Sequence, residues 1–261
     1  MWPLKKGIRD NSIICVSLSP QYIKCCLISK QNIKNKISIN AYEKKELKAL
    51  EFEKSILFNP TKISSVIKNF ITNNSVKNPV ISLSVCGPNI FEKIVTLSTS
   101  CPTKETITNN FNNNNFNNIK NISLQYTYLC PALNYGFYFY ICEIKIEQLF
   151  QYKLLAMQTD AKLSCITTER AALISAYKNI QNKTHSQHTQ HNKHRQNTQC
   201  QLGQGQFAID FAQSNYDIHN LVTYEDVEKN SIIKNELDID LKEEHTHIAN
   251  AMGLFFMGNK L

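Results

Sequence analysis

The chain has 261 residues, 42% of them hydrophobic and 19% charged, which is enough apolar surface for one large or two small cored domains and excludes a disulfide-stapled miniature or a disordered chain. Its formal net charge is +8, and 26 of its 29 basic residues are lysine. Base readout leans on arginine, and these lysines are scattered singly between apolar residues, so a solvated lysine-rich face is expected and no nucleic-acid partner.

Three β-rich runs open the chain, Ile13 to Leu18, Tyr22 to Ser29 and Lys36 to Ala41. Ser19-Pro20 and the polar stretch Lys30 to Asn35 separate them, a pattern that predicts an antiparallel meander. Asn59 then caps a helix with Pro60 at its first position, and Ile63, Val66, Ile67, Phe70 and Ile71 share one face. Val80 to Cys86 alternates Ile81, Leu83 and Val85 with serines, Gly87-Pro88 breaks it, and Ile90 to Leu97 reads as the next strand. From Thr103 to Asn118 the asparagine-rich segment keeps only sparse anchors such as Ile107 and Phe111, which predicts a weak helix or a loop.

Leu124 to Leu129 and Tyr135 to Cys142 read as strands, followed by a helix over Lys145 to Gln158 in which Ile146, Leu149, Phe150, Lys153 and Leu154 turn with the period. Leu163 to Ile166 is a short strand, and Thr167 or Thr168 caps a helix with Ala172, Leu173, Ala176 and Tyr177 in a stripe that ends near Ile180. Gln181 to Gln206 holds no apolar residue except Cys200 and Leu202 and is expected to be a disordered linker. Phe207 to Phe211 and Asp217 to Tyr224 then read as strands. An acidic segment leads to a final helix, Thr246 to Met257, with Ile248, Met252, Phe255 and Phe256 inward and Gly258 as its stop.

Nine cysteines, an odd number with no CxxC pair, read as reduced and mostly buried thiols of a cytosolic protein. Met1 to Lys6 carry charge, but Asp10 and Asn11 arrive before any apolar run, so no secretory signal is expected. The uncharged stretch Asn121 to Cys142 is interrupted by Ser123, Gln125, Thr127, Pro131, Asn134 and Gly136, which favours strands over a membrane span. His185, His188, His191 and His194 recur every third residue, but no cysteine or carboxylate lies among them, so a polar tract is expected and no metal site. Gly203 and Gly205 stand in the linker, which makes them a hinge and not a phosphate cradle. Residues 1 to 120 carry 17 basic and 7 acidic side chains, residues 207 to 261 carry 4 and 10, and the tail can therefore complement the first half in space.

Several phrases, in order, carry a family resemblance: "IICVSLSPQYIKCCLIS", "PVISLSVCGPNIFEKIVTLS", "LSCITTERAALISAYKN" and "IANAMGLFFMGNKL". Over most of residues 10 to 180 and again over 246 to 260 the chain resembles the PilM family of type IV pilus assembly, and its short relatives such as HofM. That resemblance implies an α/β fold of degenerate actin-like (ribonuclease H-like) type, with mixed sheets and a reduced second half. It implies an actin-like subdomain over 1–98, a smaller inserted α/β subdomain over 99–160, and a return to the first over 161–180. After the linker at 181–206, remnant strands and the C-terminal helix over 207–261 would pack back on the first subdomain.

ATP-binding members of this fold carry a carboxylate and a glycine in the first phosphate turn, the carboxylate organising metal and water, the glycine admitting phosphate to backbone N–H groups. Ser17 and Ser19 occupy those positions here, and neither replaces the missing charge. The second phosphate turn would fall at "FAIDFAQSN", with Asp210 at the acidic position and Ala212 for the glycine. The expectation is therefore a cytoplasmic scaffold, peripheral at the inner membrane, that docks a short cytoplasmic segment of a PilN-like inner-membrane partner. It would have no catalytic residue, no cofactor and no ATPase activity. The rival expectation is an ATP-binding enzyme of the actin-like or sugar-kinase fold, with Asp210 in the site.

Overall fold

The computed structural model describes residues 12–30, 36–47, 52–53, 56–57, 60–85, 90–111, 121–132, 135–188, 222, 224–233, 237 and 239–258. The chain divides into two compact units, one of Met1–Pro88, Phe150–Gln181 and His219–Leu261, the other of Asn89–Leu149 and Asn182–Ile218.

In the first unit β1 (Ser12–Leu18), β2 (Tyr22–Lys30) and β3 (Ile37–Glu46) form the antiparallel meander that the three β-rich runs predict. The sheet grows on the other side of β1 by parallel addition of β6 (Val80–Val85) and then β10 (Lys162–Thr168), and beyond β3 by β11 (Ser231–Ile233). Its order is β10-β6-β1-β2-β3-β11. The strands alternate few polar residues because both faces are covered: Ile14, Val16, Leu27, Ile28, Ile39, Ile81 and Leu83 are almost wholly buried. A two-stranded ribbon, β4 (Phe52–Glu53) with β5 (Ile56–Leu57), precedes the first helix.

Helix α1 (Pro60–Asn73) buries Ile63, Val66, Ile67 and Phe70, the stripe read from its spacing. It ends where Ser75 takes a left-handed φ of 51° and the Val76 N–H returns to the Ile71 carbonyl at 3.1 Å, closing orphan acceptors of the last turn. Helix α4 (Glu169–His188) starts with Thr168 Oγ1 accepting the Ala171 N–H at 3.2 Å. It runs on through His185 and His188, past the expected end near Ile180, because Gln181, Lys183 and Gln187 tolerate a helix and no glycine or proline stops it. The rest of the linker, with His191 and His194, lies outside the described residues, as does the strand expected over Phe207 to Phe211.

The strand expected over Asp217 to Tyr224 is corrected at its end: Tyr224 opens a helix, α5 (Tyr224–Asn230), with Glu225 and Asp226 in its first turn, which suits the positive end of the helix dipole. The last helix, α6 (Leu241–Gly258), begins five residues before the expected start at Thr246. Asp240 caps it, accepting the Lys242 N–H at 2.9 Å. Ile248, Met252, Leu254 and Phe255 are buried, and the helix lies against β1, β2, β6 and β10.

The second unit holds the antiparallel sheet β7 (Ile90–Leu97), β9 (Phe137–Lys145), β8 (Ile122–Pro131), in that order. The asparagine-rich segment does form a helix, α2 (Lys104–Phe111), and its Ile107 joins Leu97, Phe139 and Ile141 in a small core. Gly136, at φ 94°, lets the β8–β9 connection pass within contact of the Leu97 carbonyl, where any Cβ would lie 2.4 Å from the oxygen. Helix α3 (Ile146–Gln158) follows β9 directly.

Candidate functional site

In open sheets of this kind ligands gather at the carboxyl ends of parallel strands. Three such ends, of β1, β6 and β10, lie side by side here, and the register aligns Thr167 with Ser84, Ser84 with Ser17, Ser17 with Lys24, and Lys24 with Lys44. One polar row therefore crosses five strands, because residues paired in register point to the same face of a pleated sheet. Helix α6 lies over that row. Its Asn250, completely buried, donates from Nδ2 to Ser17 Oγ at 2.8 Å and to Ser84 Oγ at 2.9 Å, while Ser84 Oγ donates to Ser17 Oγ at 3.1 Å. Asn250 Oδ1 has no hydrogen-bond partner among the described residues.

The other end of the row is charged. Glu244, six residues before Asn250 on the same helix, accepts from Lys24 Nζ at 2.7 Å, Tyr42 OH at 2.8 Å and Lys44 Nζ at 3.1 Å. Burial disfavours the Glu244 carboxylate, but hydrogen bonds from Lys24, Tyr42 and Lys44 outweigh it and hold the carboxyl down at about 2. Burial pulls Lys24 below the ordinary lysine value while Glu244 works against that shift. Glu244 therefore stays ionised at neutral pH. The Lys24 side chain is only 3% exposed, so its charge is committed to the pair. The Tyr42 phenol is pushed up by burial and by the same carboxylate.

The turn between β1 and β2 is closed on itself. The Ser19 N–H donates to the Tyr22 carbonyl, Ser19 Oγ donates to the same oxygen, and the Tyr22 N–H donates back to Ser19 Oγ, all at 3.1 Å. The N–H groups of Ser19 and Tyr22 are thus engaged within the turn. Beside it lies a cavity of about 460 Å³ lined by Pro20, Gln21, Tyr22, Lys44, Glu46 and Leu47. Lys24 Nζ stands 4.5 Å from the Tyr22 ring centroid, and His247 meets that ring edge-on at 5.5 Å.

The next row on the same face is apolar to weakly polar: Cys165, Ser82, Cys15, Cys26 and Tyr42 stand in register. Burial raises Cys26 to about 12 and Cys165 to about 11, so these thiols pack as small hydrophobes and not as nucleophiles. No three His, Cys, Asp or Glu side chains gather around a point that could hold a metal ion among the described residues.

The residues singled out from sequence fare differently. Ser17 is in the row and hydrogen-bonded to Asn250, and Ser19 closes the turn. Asp210 and Ala212 lie outside the described residues. Sequence spacing missed Ser84, Asn250, Lys24 and Glu244. Lys24 alone left a signal, a charge inside an apolar strand run; the helix partners of Ser17 and Lys24, Asn250 and Glu244, lie more than 200 residues away along the chain. Chemically the charged end of the row offers one carboxylate shared by two lysines, Lys24 buried and Lys44 nearly half exposed. At the strand ends themselves, Ser17, Ser84 and Asn250 bring hydroxyls and an amide and carry no charge.

No protein-family model matches the chain, and no curated protein does. Among solved structures it is similar to a chain of a PilM-PilN type IV pilus biogenesis complex, at 11% identity and a TM-score of 0.53, over 64% of this chain and 51% of that one. A second match is the cytoplasmic domain of EpsL, an inner membrane component of the type II secretion system of Vibrio cholerae, at 7% identity and a TM-score of 0.38, over 62% of this chain and 57% of that one. The chain thus spans about half the length of the solved structure it matches better. The likeness is one of fold, and with the mixed sheets described above it makes this chain an actin-like α/β protein.

Proposed function

We propose that the chain is a non-enzymatic scaffold of a type IV pilus or related secretion machine, which docks the short cytoplasmic segment of an inner-membrane protein of the PilN kind and sits at the inner membrane through that partner. The observation that carries the proposal is the neutral network of Ser17, Ser84 and Asn250 at the carboxyl ends of the parallel strands, where a nucleotide-using relative would need charge. An actin-like sheet with that position filled by its own C-terminal helix is suited to holding a peptide and unsuited to hydrolysing ATP. The likeness to a chain of a PilM-PilN complex supports the partner class. No helix among the described residues is long and apolar enough to cross a membrane.

The test is crosslinking of the tagged chain in native membranes, with the captured protein identified by mass spectrometry. The expected product is a protein with a single membrane span and a short cytoplasmic segment, crosslinked through that segment. Crosslinks confined to proteins without a membrane span would overturn the proposal.

A further inference from the structure

Helix α3 carries an apolar stripe on the wrong side for a core. Phe150, Leu154 and Met157 are 58%, 39% and 71% exposed, and Ile146, one turn earlier on the same helix, is 47% exposed. The buried face is another one, formed by Tyr152, Leu155 and Ala156, and an ion pair of Lys68 with Asp160 at 2.8 Å ties the residues just after the helix to α1. Residues at i, i+4, i+8 and i+11 fall within a narrow sector of a helix, so the four side chains form one strip about 16 Å long. Single exposed apolar residues are ordinary, but an aligned strip of Ile, Phe, Leu and Met is the signature of an interaction site.

We infer that this strip is a docking surface for one short amphipathic helix of a partner protein. The inference rests on the scaffold reading and names its docking surface. Its size selects the occupant: four side chains exposed by about half present a few hundred Å², whereas a stable interface between two folded copies needs about 800 Å² from each. A single helix of three to four turns, laying residues at i, i+3 or i+4, and i+7 along the strip, matches both its length and its area. Met157 at one end supplies an adaptable contact. The polar residues bordering the strip include one charge of each sign, Glu147 and Lys153, so shape and apolar spacing would select the occupant more than net charge.

The test is selection of random 16-residue peptides displayed on phage against the immobilised full chain, followed by titration of synthetic copies of the enriched peptides. The expected result is enrichment of sequences with apolar residues at helical spacing. Their binding should weaken at least tenfold on Phe150→Ser with Leu154→Ser, in a variant whose circular dichroism and urea midpoint match the parent. Peptides that bind this variant as well as the parent, or no enrichment at all, would overturn the assignment of this surface. Two further readings would also overturn it: concentration-dependent dimerisation in sedimentation, or uptake by phosphatidylcholine–phosphatidylglycerol vesicles, either one lost in the same variant. These failures would leave the membrane crosslinking result standing, so the surface and the scaffold reading are judged separately.

Discussion

Asn250 gives up all contact with water to hold two serine hydroxyls together, and the cost of that burial is recovered only through its two donated bonds. Replacing it with alanine leaves Ser17 Oγ and Ser84 Oγ only their bond to each other while also removing the unpartnered Oδ1, so the net loss should be about 2 kcal/mol, read as a lower urea midpoint at unchanged slope. Asn250→Asp should lose more, because a carboxylate cannot donate to either serine and would have to be buried without a cation. Glu244 makes a pH-dependent contribution of the opposite chemistry. Its folded value, about 2, lies below the ordinary carboxylate range, so its stabilisation is complete above about pH 4.5 and is lost as pH falls toward 2. Glu244→Gln should therefore cost on the order of 2 kcal/mol at pH 7, after allowance for the carboxylate's remaining access to water. The gap between variant and parent should close in urea titrations taken from pH 5 down to pH 2.

Gly253 decides how closely α6 approaches α4. A Cβ there would sit 1.8 Å from the Ala172 carbonyl oxygen, so Gly253→Ala must push the two helices apart. Alanine favours a helix over glycine by about 1 kcal/mol, but overpacking at a backbone contact costs more, about 3 kcal/mol, and thermal unfolding should show a net loss. The elements also show what was readable beforehand. Helix α1 was legible because its apolar residues occupy one face only. Helix α3 was legible in extent but not in orientation: with Ile146, Leu149, Phe150, Tyr152, Leu154, Leu155 and Met157 it is apolar nearly all round, and periodicity cannot tell which face a protein buries. The stripe of Ile146, Phe150 and Leu154 read from spacing is the exposed one. Strand β11, three residues long, carries too little pattern to be seen, and only its parallel pairing with Ile37 to Ile39 defines it.

At the scale of the whole molecule, the meander, the later strands and the closing helix gave an actin-like order of elements, and the likeness in fold to a chain of the PilM-PilN complex agrees with it. The site was less legible, because its bonds join β1 and β2 to a helix at the far end of the chain and no local spacing encodes such a meeting. Ser17 drew notice only as a departure from a charged turn; what fills the space, Asn250, became visible with the packing of α6. The central claim is that this actin-like sheet has its strand-end site occupied by its own C-terminal helix and does not work through ATP. It is tested most directly by the melting temperature of the full chain in millimolar ATP with magnesium. A micromolar site would add about 4 kcal/mol under those conditions, which for a chain of this size is a shift of roughly 10 °C. The account predicts no shift beyond that given by magnesium alone, and a rise of several degrees that disappears in Asp210→Ala would contradict it.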